Sequence, residues 1–108
     1  MKGDKQVIDG LNECLMAELT GINIYYIHYM MQEDWGYKKI ASHSKDESMG
    51  EMKHAHKLTE RIIYFDGTPN MAKYDEVLGG DTVEAQLKNQ YTIETAHVKR
   101  LNKFIHLC

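Results

Sequence analysis

Glu18, Glu51, His54 and Glu94 are the residues of this 108-residue chain whose types and positions could do chemistry. Each interrupts an apolar stripe of a long helical pattern, in which residues three or four apart share a face. The first stripe runs Ile8, Leu11, Leu15, Glu18, Ile22, Tyr25, Tyr29. The second runs Ile40, His43, Glu47, Glu51, His54, Leu58, Ile62, Phe65, and the third Val83, Leu87, Tyr91, Glu94, Val98, Leu101, Ile105. A carboxylate taken from water without a partner is costly. Three carboxylates and an imidazole at similar depth therefore need cations between them, the logic of a carboxylate-bridged pair of metal ions. The plainer reading is that each glutamate stands at the edge of its stripe, half in water or paired with a lysine, and that Glu-x-x-His arose by chance. Spacing alone leaves both readings open. The coincidence of three such interruptions on three helices is what argues for metal.

The elements that must carry these residues are helices. The first is expected from about Asp4 to Glu33 and stops at Asp34-Trp35-Gly36, a link short enough to demand an antiparallel neighbour. The second is expected from about Tyr37 to Phe65. Gly67 suits a left-handed position after it, and Pro69 forbids continuation. Residues 66–81 form a crossover long enough to run from one end of a bundle to the other, so the third helix can lie parallel to the second. Asp81 with Glu84 resembles a capping box, which starts that helix at Thr82 and carries it to about Leu107. The expected fold is all-α, one domain over 1–108, with three long helices and a long crossover between helices two and three.

Composition narrows the function. A chain of this length holds one core. Its formal charge of −3 and the absence of any Lys or Arg run speak against nucleic acid. Neither an apolar leader nor a run of about twenty apolar residues suggests a membrane. Cys14 and Cys108 form no spaced metal motif and read as reduced thiols of a cytoplasmic protein.

Met1-Lys2-Gly3-Asp4, the run Glu18 to Tyr25, Asp34-Trp35-Gly36, and Glu47 through His54 resemble the bacterioferritins. Gly67-Thr68-Pro69-Asn70 and Val83-Glu84 through Glu94 continue the match in register across essentially the whole chain, and Glu51-Met52-Lys53-His54-Ala55 is its most specific piece. The resemblance implies a ferritin-like antiparallel bundle with a di-iron centre. Such proteins oxidise Fe(II) with oxygen or peroxide and store ferric mineral in a homo-oligomeric shell. It implies Glu18 as a terminal ligand of one iron, Glu51 as the bridge, His54 on the first iron and Glu94 on the second. Hard carboxylates favour Fe(III), and imidazole suits both oxidation states. Tyr25, seven residues beyond Glu18, is implied as an electron donor beside the site; from spacing alone it is equally a core aromatic. Met52 is implied as a haem ligand shared with its two-fold mate at a subunit interface, with the porphyrin type unspecified. The implied partners are Fe(II), further copies of the chain and an electron-donating ferredoxin for iron release.

The departures are informative too. Bacterioferritins run about fifty residues further, through a fourth helix with another Glu-x-x-His, so the chain is expected to be a short form or part of a longer one, associating with other chains. Glu94-Thr95-Ala96-His97 places an imidazole on the third helix, and His97 is the candidate to replace the fourth-helix imidazole on the second iron. His28, His43, His56 and His106 are less informative; His43 and Glu47 are candidates for iron transit. Two rival readings remain: a haem-binding homo-oligomer with an impaired di-iron site, and a structural helical module.

Overall fold

The computed structural model describes residues 2–107, with side chains through residue 103. The expectations placed on the side chains of Ile105 and His106 and on Cys108 lie outside those described. Three helices carry the chain: α1 (Lys5–Asp34), α2 (Lys38–Tyr64) and α3 (Val83–Leu107). No strand occurs among the described residues, and none of the helices is long and apolar enough to cross a membrane.

Asp4 caps α1 by accepting the backbone N–H of Gln6 at 2.7 Å. Gly36, at φ +86, makes the turn into α2. At the far end of α2 the expected left-handed glycine is a correction: Asp66 takes that conformation, at φ 61, which a short polar side chain tolerates. Gly67 is required for room instead, because a Cβ there would lie 2.8 Å from Ile8 Cγ2 and 3.1 Å from Ile62 Cγ2. The cap of α3 is corrected as well. Thr82 Oγ1 accepts the Ala85 N–H at 3.1 Å, so Thr82 is the cap and the helix begins at Val83.

Pairings across the bundle fix its directions. Gly3 meets Phe65 and Glu18 meets His54, so α2 runs antiparallel to α1. Gln32 meets Gln86, Tyr25 meets Glu94 and Glu13 meets Arg100, so α3 is antiparallel to α1 and parallel to α2 as expected. The crossover lies along α1 and is fastened at three points eight residues apart. Asn12 holds Thr68 and Asn70, Thr20 accepts the Asp75 N–H, and His28 holds the carbonyls of Leu78 and Gly79.

The apolar core fills one end, with Leu11, Leu15, Leu19, Ala55 and Ile62 at its centre. The other end is polar yet closed. Ser44 donates to Gln32, Gln32 to Gln86, and Gln90 to His28 Nδ1, each within 2.9 Å. The two crossover carbonyls only accept, so His28 Nε2 carries the proton and Nδ1 accepts. Burial pushes this imidazole's pKa down, against the upward pull of the two carbonyls. The metal-ligand candidates occupy the level between apolar core and polar belt.

Of the third stripe, Glu94 reaches α1 through Tyr25, but its apolar residues from Leu87 to Leu101 do not face that helix. The edge of α3 turned toward α1 carries Gln86, Gln90, Ile93, His97 and Arg100, whereas Leu87, Tyr91, Val98 and Leu101 are exposed, Tyr91 by 75 %. Gln86 and Gln90 are buried because the belt satisfies their amides, and the apolar stripe lies round the helix from it.

Candidate metal centre

Glu18 comes from the middle of α1 with its side chain 14 % exposed, and Glu51 from the middle of α2 at 5 %. Glu51 lies over Gly21, whose missing Cβ would meet three of its side-chain atoms at 3.4 Å. His54, one turn further along α2, places Nδ1 3.4 Å from Glu18 Oε2. Glu18, Glu51 and His54 each offer a donor atom within 4.8 Å of the others. A second group with the same spacing comprises Glu47, Glu51 and Glu94. Glu51 belongs to both groups, so one buried carboxylate stands between two places for a cation.

The electrostatics fit that geometry. Glu18 Oε2 and Glu51 Oε2 are buried with no hydrogen-bond partner, a costly condition for carboxylate oxygens. Burial pushes Glu51 up to about 8, and the proton it shares with Glu18 and the charges of Glu18 and Glu94 push the same way, against His97. Burial raises Glu18 too, opposed by the hydrogen bond from Glu51. Such a group of like charges is relieved either by protons or by cations. Carboxylate oxygens with one imidazole are a donor set suited to iron, and two buried oxygens without a hydrogen bond, one of them facing His54 Nδ1, mark where it would sit.

Tyr25 is 3 % exposed and its hydroxyl donates to Glu94 Oε1 at 2.6 Å. Burial raises its pKa first, then the hydrogen bond and charge of Glu94, so the phenol keeps its proton. His97 belongs to neither group. Its Nδ1 lies 3.8 Å from Glu18 Oε1, which places it beside Glu18. Met52 is 57 % exposed on α2, and Met49 one turn before it is exposed as well. Of the remaining histidines, His28 is wholly buried in the polar belt and His43 and His56 are exposed.

Glu47, expected from its place four residues before Glu51 only as a candidate for iron transit, stands with Glu51 and Glu94 as a possible ligand. The belt of His28, Gln32, Ser44, Gln86 and Gln90 was signalled only by two glutamines four apart on one face of α3.

Comparison with known proteins agrees with this architecture. Residues 8–108 match the family model described as Ferritin-like domain. The chain is similar to the bacterioferritin of Mycolicibacterium paratuberculosis, 41 % identical over 108 residues that make up the whole of this chain and 68 % of the relative. A bacterioferritin of Mycobacterium tuberculosis is 40 % identical over the same coverage. That of Rhodobacter capsulatus is 43 % identical over 95 residues, 84 % of this chain and 59 % of the relative. Three helices with this crossover, two ligand groups sharing Glu51, and similarity along the full chain place it in the bacterioferritin family of ferritin-like proteins.

Proposed function

We propose that the chain stores iron by oxidising it, as the subunit of a homo-oligomeric shell. The observation that carries this reading is the sharing of Glu51 between two groups of donors, with buried oxygens left unpartnered. One Fe(II) is held by Glu18, Glu51 and His54, and a second by Glu51 and Glu94. Each ion gives up one electron, and the two together match the two-electron reduction of one oxygen or peroxide molecule. Glu51 keeps the ions close enough to share that oxidant. Its proton leaves when metal arrives, since only the ionised carboxylate can bridge.

The remaining residues orient and exclude. Tyr25 holds Glu94 by its hydroxyl and is the near group able to supply a further electron. His97 adds an imidazole from the Glu18 side of the pair. Met52 presents a soft thioether on the outer surface of α2, available to a haem held between two chains through a pair of such ligands. Haem of that kind would supply a path for electrons to the stored ferric iron. The exposed face of Leu87, Tyr91, Val98 and Leu101 supports association with another chain.

The reading is tested by anaerobic Fe(II) loading followed by oxygen. Two Fe(II) bound per chain, oxidised together and lost in Glu51→Ala, is the expected result. Oxidation at the parent rate in Glu51→Ala would rule it out.

A further inference from the structure

His43, Glu47 and Glu51 stand one turn apart on α2, each step rising about 6 Å along the helix and turning about 40°. Exposure falls along them: the side chain of His43 is 66 % exposed and that of Glu47 41 %, while Glu51 is 5 % exposed. His43 Nε2 lies 3.9 Å from Glu47 Oε1. Glu47 in turn offers an oxygen within 4.8 Å of donors on Glu51 and Glu94. One carboxylate therefore reaches a surface imidazole on one side and, on the other, the buried Glu51 and the exposed Glu94.

We propose that His43 and Glu47 form a stair by which a divalent cation passes from solvent to the Glu51–Glu94 pair, and that Glu47 stays with it as third ligand of the second ion. The inference rests on the two-metal reading above and names the route and the ligand that reading lacks. A hydrated divalent cation exchanges its waters singly for nitrogen and oxygen donors. An exposed imidazole and carboxylate hold it weakly enough to release it. Glu47 then turns from one donor to two carboxylates, of which Glu51 is the buried one that receives it.

An ordinary surface ion pair does not account for Glu47. A His–Glu pair one turn apart contributes little to stability. Glu47 also stands beside two further carboxylates, one of them the buried Glu51, a grouping of oxygen donors suited to a cation. His97, against Glu18, is placed to serve the other ion of the pair.

The test is anaerobic titration of the apo protein with Co(II), read by its visible absorption, with stopped-flow mixing for the rate. The parent should bind two ions per chain. Glu47→Gln should bind one at parent strength, with the second weakened on the order of 10–100-fold, the effect of disturbing a ligand's supporting group being already of that size. Glu47→Asp, which keeps the charge and shortens the reach, should fall between. His43→Ala should still bind two with unchanged affinity, but several-fold more slowly. Two ions of parent affinity in Glu47→Gln would overturn the ligand assignment, and an unchanged rate in His43→Ala would overturn the stair. Fewer than two ions in the parent would instead remove the two-metal reading beneath both. Circular dichroism of each variant confirms that helix content is retained.

Discussion

Tyr25 and Glu94 join α1 to α3 through a 2.6 Å hydrogen bond at the level of the carboxylate group. The bond holds Glu94, on the more open helix, within reach of Glu51. Tyr25→Phe keeps the ring in place and removes only the hydroxyl, so the apo protein should lose about 1–3 kcal/mol. Two metal ions should still bind. Fe(II) oxidation should slow several-fold, and any tyrosyl signal in the electron paramagnetic resonance spectrum of the reacting parent should vanish. A variant that oxidises iron at the parent rate would make Tyr25 a packing residue alone.

Glu51 sets a pH dependence whose sign follows from its position. Its ordinary value is 4.5 and the fold raises it to about 8. Between those values the folded chain carries one more proton than the unfolded chain, so unfolding becomes easier as pH rises. The stabilisation is full below about 4.5 and gone above about 8. Glu18, also raised, acts in the same direction. Melting of the apo protein from pH 5 to 8 should show stability falling by up to about 1.4 kcal/mol per unit from Glu51. Glu51→Gln should flatten that slope. An equal slope in parent and variant would show that Glu51 does not carry the proton.

Met52→Leu conserves volume and apolar character, so packing should change by less than about 1.5 kcal/mol. Haem added to the parent should give the absorption of a low-spin iron with two thioether ligands. The variant should show none of it while keeping its oligomer size by light scattering. Undiminished haem binding would remove Met52 from that role.

The exposed Leu87, Tyr91, Val98 and Leu101 predict association without metal. Apo protein at micromolar concentration should scatter light as a species well above the 12.5 kDa of one chain. Tyr91→Glu and Leu101→Glu together should shift it toward that mass. A parent that is already monomeric would contradict the expectation.

The helices were legible because apolar residues recur at three and four, and Glu18, Glu51 and His54 were legible because they break that recurrence. The facing of α3 was not. Its Leu87, Tyr91, Val98 and Leu101 face was expected to need another chain, but the edge that packs on α1 could not be read: Gln86 and Gln90 are buried there because His28, Gln32 and Ser44 supply hydrogen bonds from two other helices. A pattern within one helix cannot report partners on another. The same limit hid the left-handed Asp66: the sequence offered glycine next door, and only the closeness of Ile8 and Ile62 reserves Gly67 for a different purpose.

Where their ends meet, α2 and α3 are tied by the contact of Gln90 with Ser44 at 3.4 Å; further along, the facing groups are the carboxylates of Glu47, Glu51 and Glu94. Each helix is otherwise secured to α1, so mechanically the bundle is two arms on one spine. With neither a proton on Glu51 nor a cation between them, the facing charges would work as a spring that pushes the arms apart. A bound ion turns the spring into a rivet, and the free energy of binding becomes stiffness of α3. Amide exchange along residues 91–103 should therefore slow when metal is added, most strongly near Glu94, while exchange in the paired stretch of α1 and α2 barely changes.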